Sequence, residues 1–219
     1  MRRQRPVVLS VLALTVIPLG HAAAQGGLEV SVGGVSMFAH RSAQFEGAVG
    51  TGSGTMPGGE FLLRLRYLGL AGRLFGGAFA ADSGIEAVGR IHAGDVRLIA
   101  GPRFIAADIG YARRAFSGAF GDRSWPFARI GLRSTLAIGA SGLSAQFLVA
   151  YYAGLAGDDQ RGRDSGREAE TRLVYTPARL PIYAALGYRH ERFTVASSQD
   201  VRPEVMGGIV VAAGVRFGR

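Results

Sequence analysis

The stretch that decides the expected fold is Ile209-Val-Val-Ala-Ala-Gly-Val-Arg-Phe217. Every second residue from Ile209 onward is apolar, and this series closes on the aromatic ring of Phe217. The residues between them become small toward the end, and they include one charge, Arg216. Because successive side chains of a β-strand point to opposite faces, the pattern predicts a strand with one fully apolar face.

The same alternation recurs along the chain in segments of about ten residues, separated by glycine, proline and polar residues. It predicts ten segments, of which the fourth is the least regular: residues 28–40, 60–69, 72–81, 85–101, 103–116, 125–138, 143–155, 167–176, 182–194 and 204–217. Eight strands are the alternative if residues 72–101 hold no complete hairpin. Long connections, including a glycine-rich one over residues 41–59, alternate with short ones. We therefore predict an all-β, antiparallel, up-and-down barrel.

The N-terminus indicates export. Arginines within residues 2–5 precede an apolar run over residues 7–19, and three alanines follow at residues 22–24. This order predicts a signal peptide over residues 1–24 and a single domain over residues 25–219. A membrane anchor is the alternative, but the run is shorter than the ~20 residues of a spanning helix. The chain contains no cysteine, which excludes disulfides and thiolate chemistry.

Together these features resemble those of small bacterial outer-membrane β-barrel proteins, of the type of the OmpA transmembrane domain and OmpX. The C-terminal assembly signal of that family matches the apolar series Ile209, Val211, Val215 and Phe217, although here two residues follow the aromatic one. The resemblance implies that the apolar face meets lipid, with tyrosines near the segment ends, and that both termini lie in the periplasm. A soluble periplasmic, lipocalin-like barrel with the faces reversed is the alternative.

The face opposite the apolar one carries a predicted lumen cluster of charged residues. Its members are Arg64, Arg66, Asp108, Arg129, Arg133, Arg172 and Arg189. The predicted cluster contains few acids, so we expect water or small anions beside its arginines. A structural plug is the favoured interpretation, because ten strands lie far below the 16–18 that leave an aqueous channel in porins. A narrow, anion-preferring pore is the alternative.

No motif for catalysis, metal binding or a cofactor stands out. His40 and His190 are predicted near the outer rim, and Ser42 follows two residues after His40. A rim-located lipid A hydrolase or protease-type enzyme would require one of these histidines beside a serine or an aspartate. Asp158 and Asp159 lie in a polar loop with interleaved arginines, which favours a solvated loop over a calcium site.

We therefore expect a non-enzymatic protein of the bacterial outer membrane, exported by its signal peptide, with a structural or surface-interaction role in the cell envelope of a Gram-negative bacterium. The expected partners are outer-membrane lipids, lipopolysaccharide and the barrel-assembly machinery, and the expected state is a monomer without cofactor. The formal net charge is +9, but the basic residues, all arginine, are spread over most segments. No nucleic-acid partner is expected, because that would require a clustered basic patch.

Overall fold

The computed structural model describes residues 27–45, 48–83, 89–118, 123–155, 164–196 and 201–218. The predicted signal peptide and the aspartates Asp158 and Asp159 lie outside these residues. The described chain forms ten strands: β1 Leu28–Phe45, β2 Ala48–Leu65, β3 Leu68–Ser83, β4 Gly89–Ala100, β5 Ala106–Gly118, β6 Arg123–Ile138, β7 Leu143–Gly154, β8 Ser165–Tyr175, β9 Ile182–Ala196 and β10 Val201–Phe217.

The ten strands form a closed antiparallel barrel in which each strand pairs with its neighbours in sequence and β10 returns to β1. The predicted fold is confirmed, and the alternative of eight strands is wrong. Closure pairs Val30 with Phe217 and Ala43 with Glu204. We call the end of the barrel where β1 begins and β10 finishes the terminal end, and the opposite end the loop end. Within the described residues, no helix is long and apolar enough to cross a membrane.

The segment over residues 41–59, predicted as a long connection, is instead part of a hairpin. β1 and β2 pair without interruption from Leu28 and Leu65 to Phe45 and Ala48. Glycine on the inward face of β2 also lets β3 pack closely on the other side, because a Cβ atom at Gly58 would collide with the backbone carbonyl of Leu74. Glycine here marks a close approach between backbones rather than a loop.

The turn between β2 and β3 corrects one predicted lumen residue. Arg66 and Tyr67 connect Leu65 to Leu68, and Arg66 adopts a left-handed conformation with φ 49°. Two-residue hairpin turns favour such a conformation because it matches the twist of the strands. Arg66 is therefore exposed at the terminal end and does not enter the lumen.

The sheet carries apolar side chains outward and charged side chains inward. Leu98, Ile109 and Ile130 are 63%, 63% and 59% exposed, whereas Asp108 and Arg129 are each only 1% exposed. This arrangement is the reverse of that in a water-soluble barrel, and it is typical of barrels surrounded by lipid.

The lumen also holds apolar side chains, which fill the space between the charged layers. The largest apolar cluster includes Met37, Met56, Phe75, Phe79 and Met206. A second cluster stacks Phe127, Tyr152 and Phe193, with ring centroids 5.2–6.0 Å apart. Much of the interior is thus packed with apolar side chains, which the predicted charge cluster did not indicate.

Replacing Gly58 by alanine should separate β2 from β3 and destabilise the barrel by about 1–3 kcal/mol, as overpacking does elsewhere. The matched control is Gly34→Ala on β1, since a Cβ atom there has no neighbour within 4 Å. The measurement is the urea midpoint of unfolding, followed by the fluorescence of Trp125, the single tryptophan. Equal midpoints for the two variants would contradict the close approach at Gly58.

Candidate functional site

The centre of the lumen is crossed by ion pairs between opposite walls. Strand alternation on β8 points both Glu168 and Glu170 inward. From β3, Arg73 Nη2 donates to Glu168 Oε1 at 2.7 Å, and Arg73 Nη1 donates to Glu170 Oε2 at 2.6 Å. β3 and β8 are five strands apart in either direction around the ten-strand ring. The side chains of Arg73 and the two glutamates together therefore bridge the lumen from wall to wall.

Glu168 is the most heavily engaged carboxylate of this layer. Its side chain is 0% exposed, and Arg189 Nε lies 3.3 Å from Oε1. Arg129 Nη2 lies 3.4 Å from Oε2, to which the Tyr152 hydroxyl also donates. A buried carboxylate is tolerated only when partners replace its lost hydration, and Glu168 has three arginines and a phenol for this purpose.

A second brace crosses the barrel nearer the loop end. Arg114 on β5 donates to Glu191 Oε2 at 2.7 Å and also to Glu204 on β10, which is again the opposite wall. Arg41 Nε donates to the same Glu204 carboxylate at 3.0 Å. The Arg114 guanidinium also lies 4.6 Å from the ring centroid of Phe193, a cation–π distance. Glu191 also pairs with Arg189, which connects this layer to the central one.

The third layer lies toward the terminal end. Arg172 Nη1 donates to Glu60 Oε2 at 2.7 Å, and the Tyr183 hydroxyl donates to Glu60 Oε1 at 3.0 Å. Arg216 of the closing strand lies 2.6 Å from Glu29 on β1. This contact joins the first and last strands on the lumen side.

Of the predicted lumen residues, six face the interior: Arg64, Asp108, Arg129, Arg133, Arg172 and Arg189. Asp108 pairs with Arg129 and lies 3.7 Å from Arg133 Nε. The expectation that few acids share this face is wrong, since the interior also holds Glu29, Glu60, Asp95, Glu168, Glu170, Glu191 and Glu204. Parity could have revealed four of them, because Glu60, Glu168, Glu170 and Glu191 lie at even spacings from the predicted lumen residues of their strands.

The predicted assembly residues Ile209, Val211, Val215 and Phe217 all point outward from β10. They face away from the lumen along the seam with β1, where Ile209 pairs with Phe38. Their action as an assembly signal stays a prediction.

The outer wall carries a polar cluster near the loop end. Ser53 Oγ donates to Asp82 Oδ2 at 2.7 Å, and His40 Nδ1 lies 3.3 Å from both of these oxygens. The strand register places Ser53 directly opposite His40 across β1 and β2. Sequence proximity had suggested Ser42 instead. His190 also faces outward, on β9.

Among the residues that the structure describes, no three His, Asp or Glu side chains are grouped so that they could hold a metal ion. The chemistry that this interior offers is charge recognition by arginine, and the outer wall adds one hydroxyl–imidazole–carboxylate cluster.

No protein-family model matches the chain, and no curated protein matches its sequence. Among solved structures, the outer membrane protease OmpT from Escherichia coli is similar with a TM-score of 0.51 and 8% identity, over 87% of this chain and 95% of that chain. The TodX monoaromatic hydrocarbon channel is similar with a TM-score of 0.27 and 8% identity, over 89% of this chain and 91% of that chain. The outer membrane protein OprD from Pseudomonas aeruginosa is similar with a TM-score of 0.23 and 10% identity, over 90% of this chain and 96% of that chain. The likeness to OmpT concerns the fold alone. The TM-scores of the other two structures are too low to support any conclusion about this chain.

Changing Glu168 to glutamine should leave Arg73, Arg129 and Arg189 with an uncompensated buried charge. Breaking a buried ion pair by removing one partner costs about 3–5 kcal/mol, so a loss of that order is expected in the free energy of unfolding. The control is Arg167→Gln, the preceding residue, whose side chain is exposed on the outer wall. Urea unfolding followed by Trp125 fluorescence gives the comparison. A loss no larger than that of the control would mean that the cross-lumen pairs contribute little to stability.

Proposed function

We propose that this protein is an outer-membrane β-barrel whose lumen is a structural plug, and that it serves the cell envelope as a non-conducting, non-enzymatic component. The observation that carries the proposal is the pair of bonds from Arg73 to Glu168 and Glu170, which joins opposite walls. A solute moving along the axis would have to break these bonds, and their groups would then lose partners in a poorly hydrated interior.

Residence in a membrane is supported by the character of the outer wall. Large apolar side chains such as Leu74, Leu98 and Ile109 are each more than half exposed. Exposed apolar surface costs roughly 25 cal/mol per Å² in water, so a continuous band of it favours lipid surroundings. The closed sheet also pairs backbone groups internally, as hydrocarbon requires.

The proposed partners follow from this placement. Outer-membrane lipids and lipopolysaccharide would surround the apolar band, and the barrel-assembly machinery would insert the exported, monomeric chain. Toward the loop end the outward residues become polar, as at His40, Ser53 and His92. The long β1–β2 hairpin would carry this polar wall beyond the lipid and offer a surface for envelope contacts.

Conductance in planar lipid bilayers tests the plug. The purified barrel should insert, show a heat-dependent shift in gel mobility, and give no single-channel current in potassium chloride. The gel shift ensures that the missing current comes from folded protein. Steady, anion-selective unitary currents from heat-shifted protein would overturn the plug in favour of the narrow pore.

A second candidate function is ester hydrolysis on the outer wall, favoured by the contacts among Ser53, His40 and Asp82. His40 lies two residues beyond Phe38 on the same face, and Phe38 is 54% exposed. An ester carried by a lipid would therefore reach the serine at the edge of the apolar band. In a catalytic relay the imidazole stands between hydroxyl and carboxylate, so the His40 ring would have to turn and present Nε2 to Ser53.

Hydrolysis of a long-chain p-nitrophenyl ester by the barrel in detergent tests this candidate. The serine hydroxyl would attack the ester carbonyl, pass its proton to His40 and release the alcohol, and water would then free the acid. Ser53→Ala should abolish turnover, while Ser42→Ala on the same outer wall should leave it unchanged. Turnover that survives Ser53→Ala, or that is absent from the unmodified protein, would end this candidate.

A further inference from the structure

A cavity of about 130 Å³ occupies the lumen at the terminal end. A single buried water needs roughly 10–15 Å³ of such space, so this cavity admits several waters or one small molecule. Seven arginines but only three glutamates contribute to its lining. The wall of the cavity therefore carries more arginines than carboxylates.

One excess positive charge belongs to Arg64. This residue is 5% exposed, and its guanidinium donates to the backbone carbonyls of Arg66, at 3.1 Å, and of Gly101. Within the described chain, no ion pair joins Arg64 to a carboxylate. Carbonyl dipoles hold the side chain in position, and Glu29, the carboxylate opposite it on β1, is already paired with Arg103 and Arg216.

Arg97 and Arg133 each share a carboxylate with another arginine. Arg97 is 5% exposed, and its Nε lies 2.8 Å from Asp95, which Arg73 also approaches at 3.9 Å. The Nε of Arg133 is 3.7 Å from Asp108, which is already bonded to Arg129. Neither Arg97 Nε nor Arg133 Nε makes a hydrogen bond to the described residues.

Arg172 adds a further free donor on the same cavity. Its Nη1 is bonded to Glu60, but its Nη2 is buried and makes no hydrogen bond within the described residues. The residue is 9% exposed. Buried donors of this kind are normally satisfied by protein, water or a bound ligand, so an acceptor is missing from this part of the cavity.

The cavity opens at the terminal end of the barrel and is closed on the side that faces the loop end. Arg103, 44% exposed, and Arg216, 19% exposed, flank the entrance and are both paired with Glu29. At the other side, Arg73 and Glu170 form part of the bridge across the lumen. A ligand could enter from the terminal end but could not pass through.

We propose that this blind cavity is a binding site for a small phosphate-type oxyanion, free or as the ester of a small soluble molecule. Phosphate oxygens offer several acceptors and negative charge to Arg64, Arg97 and Arg133, which share their nearest carboxylates with other arginines, and planar guanidinium groups bind such oxygens with paired hydrogen bonds. Water alone would satisfy the donors but would leave the positive charges uncompensated. The site is independent of conduction, since it needs access from one end only.

Calorimetric titration of inorganic phosphate into the folded barrel, in an uncharged detergent and at constant ionic strength, tests the proposal. One saturable site is expected, and Arg97→Gln and Arg133→Gln should each weaken binding at least tenfold. Arg192→Gln removes the same charge from the exposed outer wall of β9 and should bind phosphate as the unmodified protein does. Absence of saturable binding, or equal affinity in all the variants, would overturn the assignment.

A lysine variant and a competition measurement complete the test. If Arg133→Gln does not fold, as judged by gel mobility, Arg133→Lys keeps the charge and loses the planar fork. Weakened phosphate binding by that variant supports the site, and unchanged binding opposes it. Glycerol 3-phosphate should compete with phosphate, while micelles containing phosphatidylglycerol should not. Competition by the lipid alone would assign the anion to the membrane surface and overturn the lumen site.

Discussion

Pairing between β1 and β10 is the constraint on which the rest of the molecule depends. An open ten-strand sheet would present two unpaired edges, and neither water-free surroundings nor a defined interior could then be maintained. Closure in the observed register sets Val30 against Phe217 and brings Arg216 beside Glu29. The alternation of the last strand therefore has two effects. Its apolar face completes the outer wall, and its other face places the charge of Arg216 in the interior.

Once the barrel is closed, its narrow interior determines how charge can be arranged. Opposite walls come within reach of a single arginine, so Arg73 and Arg114 each bond to carboxylates across the lumen. Near the loop end, Arg41 and Arg114 are each paired with glutamate, and aromatic and methionine side chains fill much of the remaining space. The terminal end differs, since arginines outnumber glutamates around its cavity. The same closed wall thus contains a braced half and an arginine-rich, partly empty half.

Local alternation was sufficient to predict the strands and the side of the wall on which Arg129 and Arg133 lie, because the side-chain period of a strand is two. It failed over residues 41–59, where inward glycines lower strand propensity but are required by a close backbone approach. The contact between Arg73 and Glu168 could not be predicted from the sequence. Partners 95 residues apart meet only through register and closure, which no local pattern contains. The hydroxyl–imidazole contact on the outer wall depends on register in the same way.

The contacts of Glu168 also have a temporal consequence. Its partners Arg73, Arg129, Tyr152 and Arg189 come from four other strands, and the bond to Arg73 requires the two opposite walls to face each other. An incompletely closed sheet would keep these groups hydrated and separate. Contacts that form only after the transition state of folding act mainly on the rate of unfolding. If closure of the sheet is the last step, the interior ion pairs would slow the opening of the barrel more than they would speed its formation.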